Sequence, residues 1–89
     1  MARRPPELIE LGRIAGSYGV RGWVKVAPHK GVAEALVAAR QWWLGDKAWQ
    51  VDEARVHSAT VVAKLAGVET REQALALKGS AIAVARSAL

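Results

Sequence analysis

The chain has 89 residues, 52% of them hydrophobic, a formal net charge of +5 and no cysteine. The hydrophobic content excludes a disordered tail, and the length fits one small domain with little room for a deep substrate cavity. The missing cysteine excludes disulfides, thiolate catalysis and cysteine-ligated zinc together.

Residues 1–6, Met1-Ala2-Arg3-Arg4-Pro5-Pro6, read as a flexible basic arm: two arginines, then two prolines that cannot join a ladder. No hydrophobic stretch follows these charges, so they do not form a secretory signal. No apolar run reaches the length needed to cross a membrane. The charge is uneven, with Arg3, Arg4, Arg13, Arg21, Lys25 and Lys30 facing only Glu7 and Glu10 in the first thirty residues. A basic end of this kind favours an anionic partner, nucleic acid first.

From Glu7 to Ala27 the pattern predicts two strands, Leu8–Ile14 and Trp23–Ala27, around a glycine-rich turn, with Pro28 ending the second. Gly16, Gly19 and Gly22 read as turn-forming, and the turn displays Tyr18, Arg21 and Lys25. Gly12 and Gly16 fit barrel turns or bulges better than a phosphate-binding loop, because the flanks read as strand and no helix follows them. Residues 31–41 predict one or two helical turns before a strand over Gln41-Trp42-Trp43-Leu44. Gly45-Asp46 is a hairpin signal, followed by a strand from about Ala48 to Val56, a turn at His57-Ser58-Ala59 and a β-branched strand over Thr60–Leu65. Thr70-Arg71-Glu72-Gln73 matches a capping box, so a helix is expected from Thr70 with Gly79 as its C′ residue. Ala81–Ala85 reads as a last strand. About six short strands joined by tight turns imply antiparallel pairing, and closure into a barrel removes the edges.

Chemistry-bearing residues are sparse. His29 and His57 lie in separate turns without ligand spacing, the carboxylates form no acid/base motif, and no serine sits in a nucleophile elbow. A non-catalytic chain without cofactor or metal is expected. Adjacent Trp42 and Trp43 face opposite sides of a strand, so one fills the core and the other lies at the surface, under a loop or against a partner. Core packing is expected for most of the four tryptophans, since phenylalanine is absent.

Two separated stretches resemble a known family. Gly12-Arg13-Ile14-Ala15-Gly16-Ser17-Tyr18-Gly19-Val20-Arg21-Gly22-Trp23-Val24-Lys25-Val26 is similar to the opening motif of the RimM family of bacterial ribosome maturation factors. Residues 62–79, from Val62-Ala63-Lys64-Leu65 through Gly67-Val68-Glu69-Thr70 to Gly79, resemble its second signature, and residues 83–89 the end of the same domain. The resemblance implies an all-β, six-stranded antiparallel β-barrel of the translation-factor (elongation factor/reductase-isomerase) type with one short helix. It implies a cytoplasmic assembly chaperone that binds the 30S head and ribosomal protein S-nineteen and aids 16S rRNA processing. The family carries a second, PRC-type barrel after a linker, and residues 7–89 read as the N-terminal barrel without it. Trp23, Trp42 and Trp43 stand where the family is more often aliphatic, charged or tyrosine-bearing.

The expected contact residues are therefore Arg13, Tyr18, Arg21 and Lys25, with Arg3 and Arg4 as a basic arm, acting in a monomer with no membrane association. The alternative is a protein-interaction barrel that uses an exposed tryptophan and a free edge strand without touching RNA.

Overall fold

The computed structural model describes residues 7–89; the basic arm expected over residues 1–6 lies outside the described residues. Six strands close into an antiparallel barrel in the order β1-β2-β5-β4-β3-β6. They are β1 (Leu8–Tyr18), β2 (Trp23–Pro28), β3 (Gln41–Leu44), β4 (Lys47–His57), β5 (Thr60–Leu65) and β6 (Ala81–Ala85). Helix α1 (Ala33–Ala38) joins β2 to β3, and α2 (Arg71–Leu75) joins β5 to β6.

Period-2 alternation sets which face is core. Val24 and Val26 of β2, Val61, Ala63 and Leu65 of β5, and Ile82 and Val84 of β6 point inward and are buried. Leu36 of α1 and Ala74 of α2 join the same core. Burial of each large aliphatic side chain contributes about 1.5–3 kcal/mol.

The first strand runs four residues beyond the expected end at Ile14, to Tyr18. It serves two neighbours, pairing with β6 over Leu8–Arg13 and with β2 over Gly12–Tyr18. Register shifts between Glu10 and Gly12 against β6, and between Ile14 and Gly16 against β2, bend it around the barrel. Gly16 thus lies inside β1, paired with Lys25 just after the extra residue Ala15, and is not part of the turn. A Cβ on Gly12 would sit 2.7 Å from the Ala27 carbonyl oxygen, so glycine there lets β2 approach.

The expected capping box is present. Thr70 Oγ1 accepts from the Gln73 amide at 3.1 Å, and Gln73 Oε1 accepts from the amides of Thr70 at 3.1 Å and Glu69 at 2.7 Å. The helix differs from expectation at its other end: α2 stops at Leu75, ahead of Gly79. Three-residue turns then carry the chain, with Leu77, Lys78 and Ser80 amides donating to the Ala74, Leu75 and Leu77 carbonyls. The Gly79 amide leaves this path altogether and donates to the Ile14 carbonyl of β1 at 2.8 Å. The helical path is left at Gly79, where φ is +91° and the amide pairs with the barrel. Thr70→Ala is expected to cost about 1 kcal/mol, a fall in Tm of roughly 4–8 °C by thermal melt; an unchanged melt would mean that the cap contributes nothing to the barrel's stability.

The tryptophans divide in a way that alternation alone does not give. Trp42 is fully buried in the core, and its indole Nε1 donates to the Leu36 carbonyl at 3.1 Å. Trp43 points the other way, outside the main core cluster, yet is only 4% exposed. Its cross-strand partners Ala48 and Ala83 are small and leave room for its ring on the outer wall. Trp23 and Trp49 are half-buried rather than core residues. No tryptophan is among the exposed large hydrophobic residues, and the closed barrel offers no free edge strand. The alternative interaction reading therefore lacks its free edge strand, and the accessible tryptophan surface is confined to partly buried rings such as Trp23.

Candidate nucleic-acid interface

The connection between β1 and β2 is a four-residue turn, Gly19-Val20-Arg21-Gly22. Its base is fixed and its tip is free. Gly22 is buried at φ +86°, and a Cβ there would lie 2.7 Å from the Glu69 carbonyl carbon and closer still to the Val68 carbonyl oxygen. The turn is thus seated on the β5–α2 connection, at a contact only glycine allows. Val20 and Arg21 project into solvent, with Val20 75% exposed.

Beside this turn the outer wall carries rings and cations. Lys25 faces outward between the inward Val24 and Val26, and its cross-strand neighbours are Gly16 on β1 and Val62 on β5. Val62 in turn neighbours Arg55 on β4. Val62 alternates with the inward Val61 and Ala63 and is itself fully buried, between Lys25 and Arg55 in the cross-strand register. The Arg55 guanidinium lies over the Trp23 ring, 5.1 Å from its centroid. Its Nη1 is 3.7 Å from Glu53 Oε2, and both side chains are more than half exposed. The Tyr18 ring meets the His57 ring edge-on, with centroids 5.2 Å apart. Between these groups lies a groove of about 320 Å³ lined by Tyr18, Gly19, Val20, Arg21, Trp23 and Arg55. A larger hollow of about 470 Å³, lined by Arg40, Gln41, Gln50, Val51 and Asp52, contains no aromatic ring.

Of the residues expected from the sequence, Tyr18 and Arg21 line the groove and Lys25 stands on the same wall. Arg13 is not brought to them. It lies mid-strand between Ala27 and Ala81, and its Nη1 donates to the Gly79 carbonyl at 2.9 Å. Five residues of strand separate it from Tyr18, roughly 16 Å. Arg55 and His57 were not expected. They are far from the glycine turn in sequence and reach it only because β4 lies two strands from β2; no local motif announces them. Among the described residues, histidines and carboxylates form no cluster of three that could hold a metal ion. No helix among them is long and apolar enough to cross a membrane.

Fold and site together define a small closed antiparallel β-barrel domain with a cationic, aromatic patch on its outer wall. Within that class the chain belongs to the RimM N-terminal domain family, whose model matches residues 9–89. It is 47% identical to the ribosome maturation factor RimM of Bordetella avium, covering 93% of this chain and 47% of that protein. It is 48% identical to the Bordetella parapertussis protein of the same name, covering 94% of this chain and 47% of the relative. The chain thus spans about half the length of the curated relatives it matches. A crystal structure of a 16S ribosomal RNA processing protein RimM from Pseudomonas aeruginosa superposes with a TM-score of 0.83 at 32% identity, covering 93% of this chain and 53% of that one. The solution structure of the N-terminal domain of RimM from Thermus thermophilus shares the fold, with a TM-score of 0.80 at 21% identity over 93% of this chain and 94% of that one.

Proposed function

We propose that this chain is a ribosome-maturation module that assists late assembly of the 30S head and 16S rRNA processing as a non-catalytic, cytoplasmic, monomeric chaperone. The observation that carries this reading is the grouping of Arg21, Lys25 and Arg55 with Tyr18 and Trp23 on one wall, in a chain whose relatives are named ribosome maturation factors. The cations neutralise backbone phosphates of 16S rRNA and set the register. The rings contact whatever the backbone path exposes. Ribosomal protein S-nineteen, the protein partner that the resemblance implies for the family, completes the proposed surroundings on the head. Assembly is assisted by differential affinity: the module binds the immature head better than the mature one and so shifts the population toward a productive fold.

Replacing Tyr18 and Arg21 together by alanine tests this. Association with 30S subunits, measured by co-sedimentation, is expected to fall roughly ten-fold or more, the loss of a ring contact and a charge-assisted one. Stability should drop by only about 1 kcal/mol, the scale of the Tyr18–His57 ring contact. Rising salt should weaken wild-type association steeply. Unchanged association in the double variant would make this loop a structural turn and end the assignment.

A further inference from the structure

We infer that the groove between Tyr18, Trp23 and Arg55 is a stacking subsite for one unpaired nucleobase of single-stranded RNA. This rests on the ribosomal-RNA reading above and adds to it the conformation of the RNA.

The geometry of Arg55 carries the argument. Its guanidinium carbon lies 5.1 Å from the Trp23 ring centroid, and its Nη1 is 3.7 Å from Glu53 Oε2. The side chain is nonetheless 55% exposed, so it is held in place while remaining accessible from solvent. A guanidinium placed over a ring in this way offers a platform on which a base stacks, and Tyr18, in edge contact with His57, adds a second ring to the groove's lining.

Size and charge select the occupant. A volume of about 320 Å³ is at the lower end of small-ligand pockets and suits a single planar group rather than an extended ligand. Exposed Val20 at the rim offers apolar surface for a ribose or base edge. Arg21 at the rim and Lys25 on the adjacent wall are placed for the flanking phosphates. Bases in an A-form duplex are already stacked and cannot enter, so the subsite selects loops, bulges and ends. An acidic peptide would satisfy the cations and leave the rings unused.

The test titrates the 89-residue chain with a short oligoadenylate and with an abasic ribose-phosphate oligomer of equal length, following tryptophan emission. Oligoadenylate is expected to bind roughly five- to a hundred-fold more tightly, the range for one stacked base, and to quench emission. Trp23→Leu should abolish the quenching and most of the base preference. Arg55→Gln, an exposed substitution that leaves the core intact, should reduce the preference as well. Lys25→Ala should weaken both oligomers alike and lower the salt slope by about one. Equal affinity for the two oligomers, or a preference that survives both Trp23→Leu and Arg55→Gln, would overturn the subsite.

Parallel co-sedimentation with 30S subunits separates this inference from the reading beneath it. If Arg21→Ala weakens subunit association while the two oligomers bind equally, the stacking subsite falls and the assembly role stands. If the chain prefers oligoadenylate but ignores subunits, the subsite stands and the assembly role falls. Subunit association that depends on Trp23 but not on salt would make the groove a protein-docking site and refute the inference.

Discussion

Trp42→Ala is expected to remove about 3–5 kcal/mol of stability, the range for deleting a buried tryptophan side chain. A domain of this length has roughly 4–13 kcal/mol in total, so the variant is at the margin of folding, with Tm lowered by roughly 15–30 °C or no cooperative melt at all. Two effects combine. The indole is the largest fully buried side chain among the described residues, so its removal leaves the largest void a single truncation can make in this core. Its Nε1 also donates to the Leu36 carbonyl, one of the last four carbonyls of α1, which have no partner within the helix. Trp42 therefore fills the core and closes the end of α1 at the same time. Trp42→Phe separates the two roles. It keeps most of the ring volume but leaves that carbonyl without its donor, a cost of about 1–3 kcal/mol. Chemical denaturation of the two variants measures both terms, and equal losses would show that the hydrogen bond, not the volume, dominates.

Gly22→Ala is the second large effect, a loss of about 2–5 kcal/mol. Left-handed backbone costs a residue with a Cβ about 1–2 kcal/mol, and forcing an extra carbon into a closed contact costs about 1–3 kcal/mol more. The added Cβ would meet the carbonyl groups of Val68 and Glu69, backbone that cannot rotate away as a side chain would. Gly19→Ala is the matched control. Its φ is +71°, but a Cβ there meets nothing within 4 Å, so only the conformational term of about 1–2 kcal/mol remains. A thermal melt that places the two variants together would refute the close approach. The same contact couples stability to the proposed interface: a displaced Gly22 moves Arg21, so 30S association should fall further in Gly22→Ala than in Gly19→Ala.

The legible parts of this chain are those coded over a few residues. Alternation locates β2, β5 and β6; Gly45-Asp46 marks the β3–β4 turn; and the Thr70–Gln73 capping box places the start of α2. The end of α2 differs from the local signal: α-helical bonding stops at Leu75, three-residue turns carry the chain on, and Gly79, at φ +91°, gives its amide to Ile14 of the first strand. The far half of β1 differs because the bulge between Ile14 and Gly16 lets glycine-containing backbone continue in a ladder with β2 where composition alone suggests a bend.

The proposed interface divides along the same line. Tyr18, Arg21 and Lys25 are visible in the sequence because they surround one glycine turn. Arg55, His57 and the exposed face of Trp23 are not, since their place depends on β5 lying between β2 and β4. The amino-acid order by itself determined the strands, most of their inward faces, the turns and the N-terminal helix cap, because each is decided by φ/ψ preference and side-chain period within a short window. Only the closed tertiary structure decided which strands are neighbours, why Trp43 and Val62 are buried on the outer wall, and why Gly22 must lack a side chain. Each of these depends on pairing register between distant segments, and local periodicity carries no information about it.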